Sequence, residues 1–450
     1  MTTRVAQRDQ RGYRGQTGQS YRVLLTGGRA PVTLDLARML HRSGHLVFIA
    51  ESMEYHLCRR SSAVQQCVLV PSPRHHTQEY LLALEHWVKI WQIDVLIPMC
   101  EEVFYVAGGA ERLRQHCRVL VSSLEQLHVL HHKYDFNRLA KSMGLSAPDT
   151  HLIQTPQEWM EMQHALKGEW VWKPVYSRFA AKVRIPRLGR SNIDMHKDEN
   201  NNNNANRRTE GLPESHISAS QKLHALHHDP PGEDTLSPAS PWVAQRYIHG
   251  RGLCTYSVVH EGHIVAHAAY DNRYRTGSVG ASVFFEQVQH EGMRAWVERF
   301  VAKTGFSGQI GFDFIEDVTG QVYAIECNPR ATSGIHLFHP GNDLVRALLE
   351  PEVVLSEGIE VTPRLGDDKA MLALPMLGSG IRQIRGSRGS LRAWGAARKG
   401  ARDVVYMRQD RRPFVEQFAV VLAAWRLARS QQITLTEALT HDIEWNGEQR

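Results

Sequence analysis

Apolar residues along the chain fall into short runs and helical repeats separated by turn-forming residues. Tyr21 to Thr26 is a short apolar run that breaks at Gly27-Gly28. Leu34 to Ser43 repeats apolar residues at helical spacing, and Leu46 to Ala50 is a second run that ends at Glu51. The three together predict a β-α-β unit. Asp94 to Met99 predicts a later strand, with Cys100, Glu101 and Glu102 at its C-terminal end. Phe136, Leu139, Ala140 and Met143 share one face of a predicted helix that Gly144 and Pro148 stop. Further on, Cys254 to Val259 and His263 to Tyr270 flank a Glu261-Gly262 turn. Ile310 to Ile315 and Val322 to Cys327 flank Asp317-Val-Thr-Gly320, which predicts an antiparallel hairpin.

Two stretches break this pattern. Residues 1–20 are polar, rich in arginine and without an apolar core, so they read as a loose tail and not as a secretion signal. Residues 186–240 carry the run Asn200 to Asn204 amid Ser, Pro and His, a composition that cannot bury a core, so a disordered insertion is expected. Beyond residue 340 the chain turns helical and basic. Arg382 to Arg402 holds seven Lys or Arg residues, and Pro413 to Arg429 predicts a helix with Phe414, Phe418, Val421, Leu422 and Trp425 on one side.

Composition adds limits. With 42% hydrophobic and 22% charged residues over 450 positions, the chain suits a soluble globular protein of two or three domains. The longest apolar run, near Phe418 to Trp425, is far short of the roughly 20 residues that span a bilayer, so no membrane partner is expected. Six scattered cysteines without a Cys-x-x-Cys pair point to reduced thiols and the cytoplasm. The basic stretch lacks aromatic interleaving, so nucleic acid is not expected either. His260-Glu-Gly-His263 falls on a strand-turn-strand pattern and lacks the His-Glu-x-x-His spacing, which sets aside a metalloprotease.

The hairpin carries the densest chemistry. Glu326 and Asn328 are two apart on a strand and so share a face. A four-residue loop, 317–320, sets Asp313 opposite Ala324, on that same face and diagonal to Glu326. Asp313, Glu326 and Asn328 then offer three oxygen donors of the kind Mg²⁺ takes together with water and phosphate, with Mn²⁺ an allowed substitute. Arg330 follows with a fork for a phosphoryl or carboxylate oxygen. Upstream, Lys173 sits inside the apolar run Trp170-Val-Trp-Lys-Pro-Val175, a place that calls for an anion.

Asp313 with Glu326-Cys-Asn328-Pro-Arg330 resembles the metal-binding end of the ATP-grasp superfamily, and the Asn-Pro-Arg form is most similar to its carbamoyl-phosphate synthetase large-chain and biotin-carboxylase branch. The other landmarks follow in the family's order. His132-Lys133-Tyr-Asp135 is similar to the helix start whose lysine reaches nucleotide phosphates, and Lys173 to the strand lysine that grips the α-phosphate. Trp242-Val-Ala-Gln245-Arg-Tyr247-Ile248-His-Gly250 resembles the hinge that pairs with adenine, with Gln245 where many relatives carry Glu. The family's glycine-rich phosphate loop is replaced by Tyr176-Ser177-Arg178-Phe-Ala-Ala-Lys182, where Ser177 and Arg178 stand in as side-chain donors.

The resemblance implies an α/β and α+β architecture. Residues 21–125 would form a Rossmann-like domain, 126–340 a two-lobed ATP-grasp domain interrupted at 186–240, and 341–450 a mainly helical extension that packs on the core or on another copy. It implies an ATP- and Mg²⁺-dependent ligase that joins a small-molecule carboxylate to an amine through an acyl phosphate, with a homo-oligomer compatible. Two alternatives remain: a carboxyphosphate-forming enzyme, and a catalytically silent ATP-binding protein. Arg273 and Arg275, on a polar connection, are open candidates for a substrate carboxylate. Glu101 and Glu102 face either the substrate amine or a helix N-terminus. Gly27-Gly28 with Glu51 resembles part of a dinucleotide fingerprint but lacks its third glycine.

Overall fold

The computed structural model describes residues 20–176, 183–185, 236–275, 282–339, 343–363, 369–384 and 388–447. Ser177, Arg178, the expected tail through residue 19 and most of the expected insertion lie outside them. The described residues form two compact units. The larger runs to Pro148 and resumes at Ile248; the smaller lies between Asp149 and Tyr247.

The larger unit opens with five parallel strands: β1 (Arg22–Thr26), β2 (Leu46–Glu51), β3 (Gln66–Leu69), β4 (Val95–Ile97) and β5 (Arg118–Val119), in the order β3-β2-β1-β4-β5. Their apolar runs are continuous because helices cover both faces of such a sheet. The helix between β1 and β2 spans Pro31–Arg42, with Pro31 in its first turn, and so starts earlier than the apolar repeat alone indicates. It is buried from Val32 to Leu40, including Asp35 and Arg38. Its polar side is therefore also covered, and the cover is the C-terminal segment. Arg38 donates through Nε to Asp410 at 2.9 Å and through its two terminal nitrogens to the carbonyls of Val404 and Val405 at 2.9 Å. Arg402 holds Asp35 at 3.0 Å, and Arg29 reaches Asp442 at 2.7 Å.

The smaller unit is built on β6 (Thr150–Ile153), β7 (Trp170–Pro174) and β8 (Trp242–Arg246), antiparallel in the order β6-β8-β7. One face buries Ile153, Trp159, Trp170, Trp172, Trp242 and Ala244. Leu236 joins that cluster, so the last residues of the stretch expected to lack a core are ordered against tryptophan. The remainder of the expected insertion lies outside the described residues.

The larger unit continues with a seven-stranded sheet: β9 (Gly250–His260), β10 (His263–Asp271), β11 (Phe284–Gln287), β12 (Gly308–Asp317), β13 (Val322–Asn328), β14 (Lys369–Met371) and β15 (Arg402–Asp403). Their order is β13-β12-β9-β10-β11-β14-β15. Gly250 is required where β9 begins, because a Cβ there would lie 2.0 Å from the Glu316 carbonyl oxygen on β12. Phe312 and Phe314 pack with Phe136, Trp296 and Phe300 from the helices Lys133–Ser142 and Glu291–Thr304. The alternate residues, among them Asp313, face the other way.

The C-terminal helix docks on the rest of the chain by its small and charged residues. It spans Arg412–Gln431, and its buried residues are Pro413, Glu416, Val420, Ala424 and Ala428. Phe418, Val421, Leu422 and Trp425, expected to pack on the core or on another copy, are exposed on this chain. Glu416 accounts for this: its carboxylate, buried, meets Arg60 at 3.2 Å and Arg59 at 3.4 Å, so the helix docks through charge and small residues.

Candidate active site

β12 and β13 meet as the predicted hairpin, but with another register. The turn is held by Asp317, whose Oδ1 accepts from the Thr319 backbone at 2.8 Å and the Gln321 backbone at 3.0 Å. Glu316 pairs with Val322 and not with Gln321, so the register is already shifted by one residue at the turn. A β-bulge then leaves Ile325 unpaired between the Phe314–Ala324 and Asp313–Glu326 pairs. Two single-residue shifts add to two, which preserves the face. Asp313 therefore lies directly opposite Glu326, not opposite Ala324, and the two carboxylates are closer than the diagonal arrangement allows.

Asn328 pairs with Gly311, one step along the same face. Arg330 donates to Asn328 Oδ1 and to the Ala331 carbonyl, both at 3.1 Å. Lys133 is the first residue of its helix and is 1% exposed, with Nζ 3.6 Å from Glu326 Oε2. Burial lowers the Lys133 pKa, and Glu326 opposes that shift. Burial raises the Asp313 carboxyl above the usual range, and the neighbouring Glu326 adds to it. Two facing carboxylates with an amide beside them are a donor set that suits a divalent cation, which would relieve their mutual repulsion. Among the described residues no group of three or more His, Cys, Asp and Glu side chains is placed to hold a metal, so any ion here would complete its shell with Asn328, water or phosphate.

One residue that the sequence did not single out joins this set. Cys254 on β9 pairs with Asp313, and its thiol pKa is raised by burial and then by Asp313. Glu101 and Glu102, alike in sequence, separate in structure. Glu102 Oε1 accepts from Thr26 Oγ1 at 2.6 Å and from the Cys100 backbone at 2.9 Å, a local structural role. Glu101, 3% exposed, lies 3.8 Å from Arg330 and 4.0 Å from His131. Position after a strand marks both residues; only three-dimensional context tells them apart. Arg273 binds Asp271 at 3.1 Å and is half exposed, while Arg275 donates to the Asn272 carbonyl at 3.1 Å and contributes to the field at Asp313. Glu51 is held by Arg29 through the backbone N–H at 2.9 Å and the side-chain Nε at 3.1 Å, and its pKa is lowered because the arginine outweighs burial. That acid is therefore committed to an internal ion pair and not to a ribose.

In the smaller unit, Lys173 donates to Gln245 Oε1 at 2.9 Å, and Gln245 Nε2 donates to Thr150 Oγ1 at 3.2 Å. Tyr247 donates its backbone N–H to the Glu169 carbonyl at 2.9 Å. The chain leaves this unit between Tyr247 and Ile248, within the segment read as a hinge.

No protein-family model and no curated protein sequence matches the chain. Solved structures do. A phosphoribosylamine–glycine ligase from Thermotoga maritima is 16% identical with a TM-score of 0.52, over 76% of this chain and 78% of that one. An N5-carboxyaminoimidazole synthetase from Staphylococcus aureus, solved with ADP, is 12% identical with a TM-score of 0.50, over 72% and 73%. At such identity the likeness concerns architecture. With a parallel N-terminal sheet, an antiparallel sheet bearing the Asp313–Glu326 hairpin and a helical C-terminal segment, the chain has the ATP-grasp fold.

Proposed function

We propose that the protein is an ATP-dependent ligase that joins a small carboxylic acid to an amine through an acyl phosphate. The observation that carries this reading is the directly opposed pair Asp313 and Glu326, with Asn328 beside them, Lys133 at 3.6 Å and Arg330 on the amide. The fold likeness to a synthetase solved with ADP and to a ligase named for glycine supports it.

In this reading Mg²⁺, held by Asp313, Glu326 and Asn328, supplies charge neutralisation for the triphosphate. The acid's carboxylate attacks the γ-phosphorus in line, the bond to the bridging oxygen breaks, and ADP leaves. The amine then attacks the acyl carbon, loses a proton and expels phosphate. Lys133 contributes a fixed positive charge on a dry site, where such a charge counts for more than in water. Arg330 has two of its nitrogens anchored, so its fork is oriented before an oxyanion forms beside it. The reading gives Lys173 a phosphate contact, and Gln245, Tyr247 and Ile248 the adenine side. Ser177 and Arg178 are assigned to phosphate by the family resemblance alone.

The test is to incubate the protein with MgATP and panels of amino acids, other carboxylates and bicarbonate, follow phosphate release, and identify products by mass. Arg330→Ala and Glu326→Gln are expected to lower turnover by about 10²–10³-fold with unchanged circular dichroism. Turnover within a few-fold of wild type in either variant contradicts the site. Absence of any calorimetric heat for nucleotide with saturating Mg²⁺ sinks the whole reading.

A further inference from the structure

We propose that Arg275, laid over Gly252, is a second cation of the Asp313–Glu326 face and binds the end of a polyphosphate that lies away from Arg330. The inference deepens the nucleotide reading above and rests on it for the identity of the anion.

The placement follows from strand register. Cys254 on β9 pairs with Asp313 on β12, and Gly252, two residues earlier on β9, pairs with Ile315. Residues two apart share a face, so a side chain at 252 would point to the side that carries Asp313. Gly252 has none, and Arg275 takes the room. A Cβ on Gly252 would collide with a terminal guanidinium nitrogen of Arg275, while Arg275 Cζ at 3.7 Å and Asn272 Cβ at 4.0 Å are at ordinary contact. Arg275 Nε donates to the Asn272 carbonyl at 3.1 Å, and the Asn272 backbone N–H donates to the Gly252 carbonyl at 3.2 Å, so the guanidinium is tied at its base to the strand it lies on. Its charge reaches the carboxylate pair, where it acts with Arg330 against the upward shift at Asp313. Arg273, two residues earlier, turns instead to Asp271 at 3.1 Å and Glu286 at 4.0 Å.

The two arginines bracket the carboxylates. Asn328, whose Oδ1 accepts from Arg330, pairs with Gly311, two residues before Asp313 on β12, and Gly252 pairs with Ile315, two residues after it. Four residues of strand separate the two levels, roughly 13 Å. A lone carboxylate meets one of these arginines, whereas a polyphosphate bound at the pair with Mg²⁺ extends toward both. The reading above gives Arg330 to the transferring group, which leaves the non-reacting phosphates to Arg275. A planar fork tied through Nε presents its terminal nitrogens to phosphoryl oxygens in a set direction. Gly252 gives that fork its place, and it separates placement from charge. It lies in the extended strand β9 and not at a positive φ, so alanine suits the backbone there and displaces only the end of a flexible side chain.

Wild type, Arg275→Gln, Gly252→Ala and the double variant are titrated at low salt first with inorganic tripolyphosphate in Mg²⁺ and then with MgATP, by calorimetry, and each is melted without ligand. Arg275→Gln is expected to bind both ligands about tenfold or more weakly, the loss of one charge-assisted contact. Gly252→Ala keeps the charge, is expected to melt at or above the wild-type temperature, and should weaken both ligands about threefold or more by moving the guanidinium. The double variant should bind no more weakly than Arg275→Gln, because the glycine acts through the arginine. Binding of tripolyphosphate within about twofold of wild type by Arg275→Gln, or by a folded Gly252→Ala, overturns the inference; where Gly252→Ala is unfolded, Arg275→Gln decides alone. Losses that add in the double variant also overturn it, as does a wild type that binds no tripolyphosphate. Unchanged binding of both ligands with a raised KM for the carboxylate found in the turnover assay assigns Arg275 to the acid and equally overturns it. Tripolyphosphate binding that depends on Arg275 in a wild type that ignores MgATP upholds Arg275 and removes the nucleotide reading. MgATP binding indifferent to Arg275 does the reverse.

Discussion

The β12–β13 hairpin and the C-terminal segment obey opposite rules of polarity. In the hairpin, polar residues gather on one face of an otherwise apolar strand pair, and they are the candidate chemistry. In the C-terminal segment the polar residues are the fastening. Asp410, Glu416 and Asp442 turn inward to arginines of the N-terminal domain, while Phe418, Leu422 and Trp425 face out. Hydrophobic pattern predicts facing only where burial is bought with apolar area. Where a buried ion-pair network docks an element, the pattern points the wrong way.

The largest expected effect comes from cutting that network. Asp410 accepts from Arg38 at 2.9 Å, from Ser61 Oγ at 2.7 Å and from the Ser62 backbone at 2.8 Å, and both charged partners are buried. Asp410→Ala leaves Arg38 without its carboxylate and is expected to cost about 3–5 kcal/mol in chemical denaturation. Replacing both, as Arg38→Met with Asp410→Leu, should recover most of that loss. A loss below about 1 kcal/mol for Asp410→Ala would mean that the segment docks by apolar contact after all.

Acid separates the two regions next. His267 on β10 contacts Ser257 Oγ at 2.9 Å, and burial pushes its pKa down to about 4. An unfolded histidine binds its proton near pH 6.5, so between about pH 6.5 and 4 the unfolded state holds more protons and stability rises with pH. The contribution is complete above 6.5 and falls by up to about 3 kcal/mol as pH drops to 4. Three of the docking acids behave otherwise. In Glu51, Asp410 and Asp442 burial opposes the charge, but hydrogen bonds and arginines outweigh it and hold each pKa below its ordinary value. Their contribution persists until pH falls below about 4. Hydrogen exchange should therefore show β9 and β10 loosening between pH 6.5 and 4.5 while residues 402–447 keep their contacts with the N-terminal sheet. Release of that segment first would reverse the assignment, and His267→Phe should flatten the upper phase.

This contrast explains what was legible in the sequence. The hairpin, its turn and the shared face of Asp313, Glu326 and Asn328 follow from local rules: period two in strands, Asp and Gly in a turn. Even the misplaced pairing at Ala324 did no harm, because the turn and the bulge at Ile325 each moved the pairing by one. Lys173 was visible as a charge inside an apolar run. Its partnership with Gln245 and Thr150 was not, because it joins strands up to 95 residues apart. Glu101 and Glu102 are indistinguishable until Thr26 and Arg330 are placed around them. The buried polar side of the helix Pro31–Arg42 was equally hidden, since its partners lie more than 300 residues downstream.

The smallest expected effect is the most telling for the helix Arg412–Gln431. Phe418 is 58% exposed and Trp425 50%, whereas Ala424 is fully buried. If the outward face is as exposed in solution as its facing indicates, Phe418→Gln and Leu422→Gln remove no packing and each should shift stability by less than about 0.5 kcal/mol. Ala424→Leu, one turn away on the inner side, forces added volume into a filled contact and should cost about 1–3 kcal/mol. Amphipathic reading of the sequence predicts the reverse ranking, with the large aromatics costly and the alanine indifferent. Denaturation midpoints for the three variants at one protein concentration decide between them. A loss of about 3 kcal/mol or more at Phe418 would restore the apolar stripe as the packed face and end the comparison on which the two polarity rules rest.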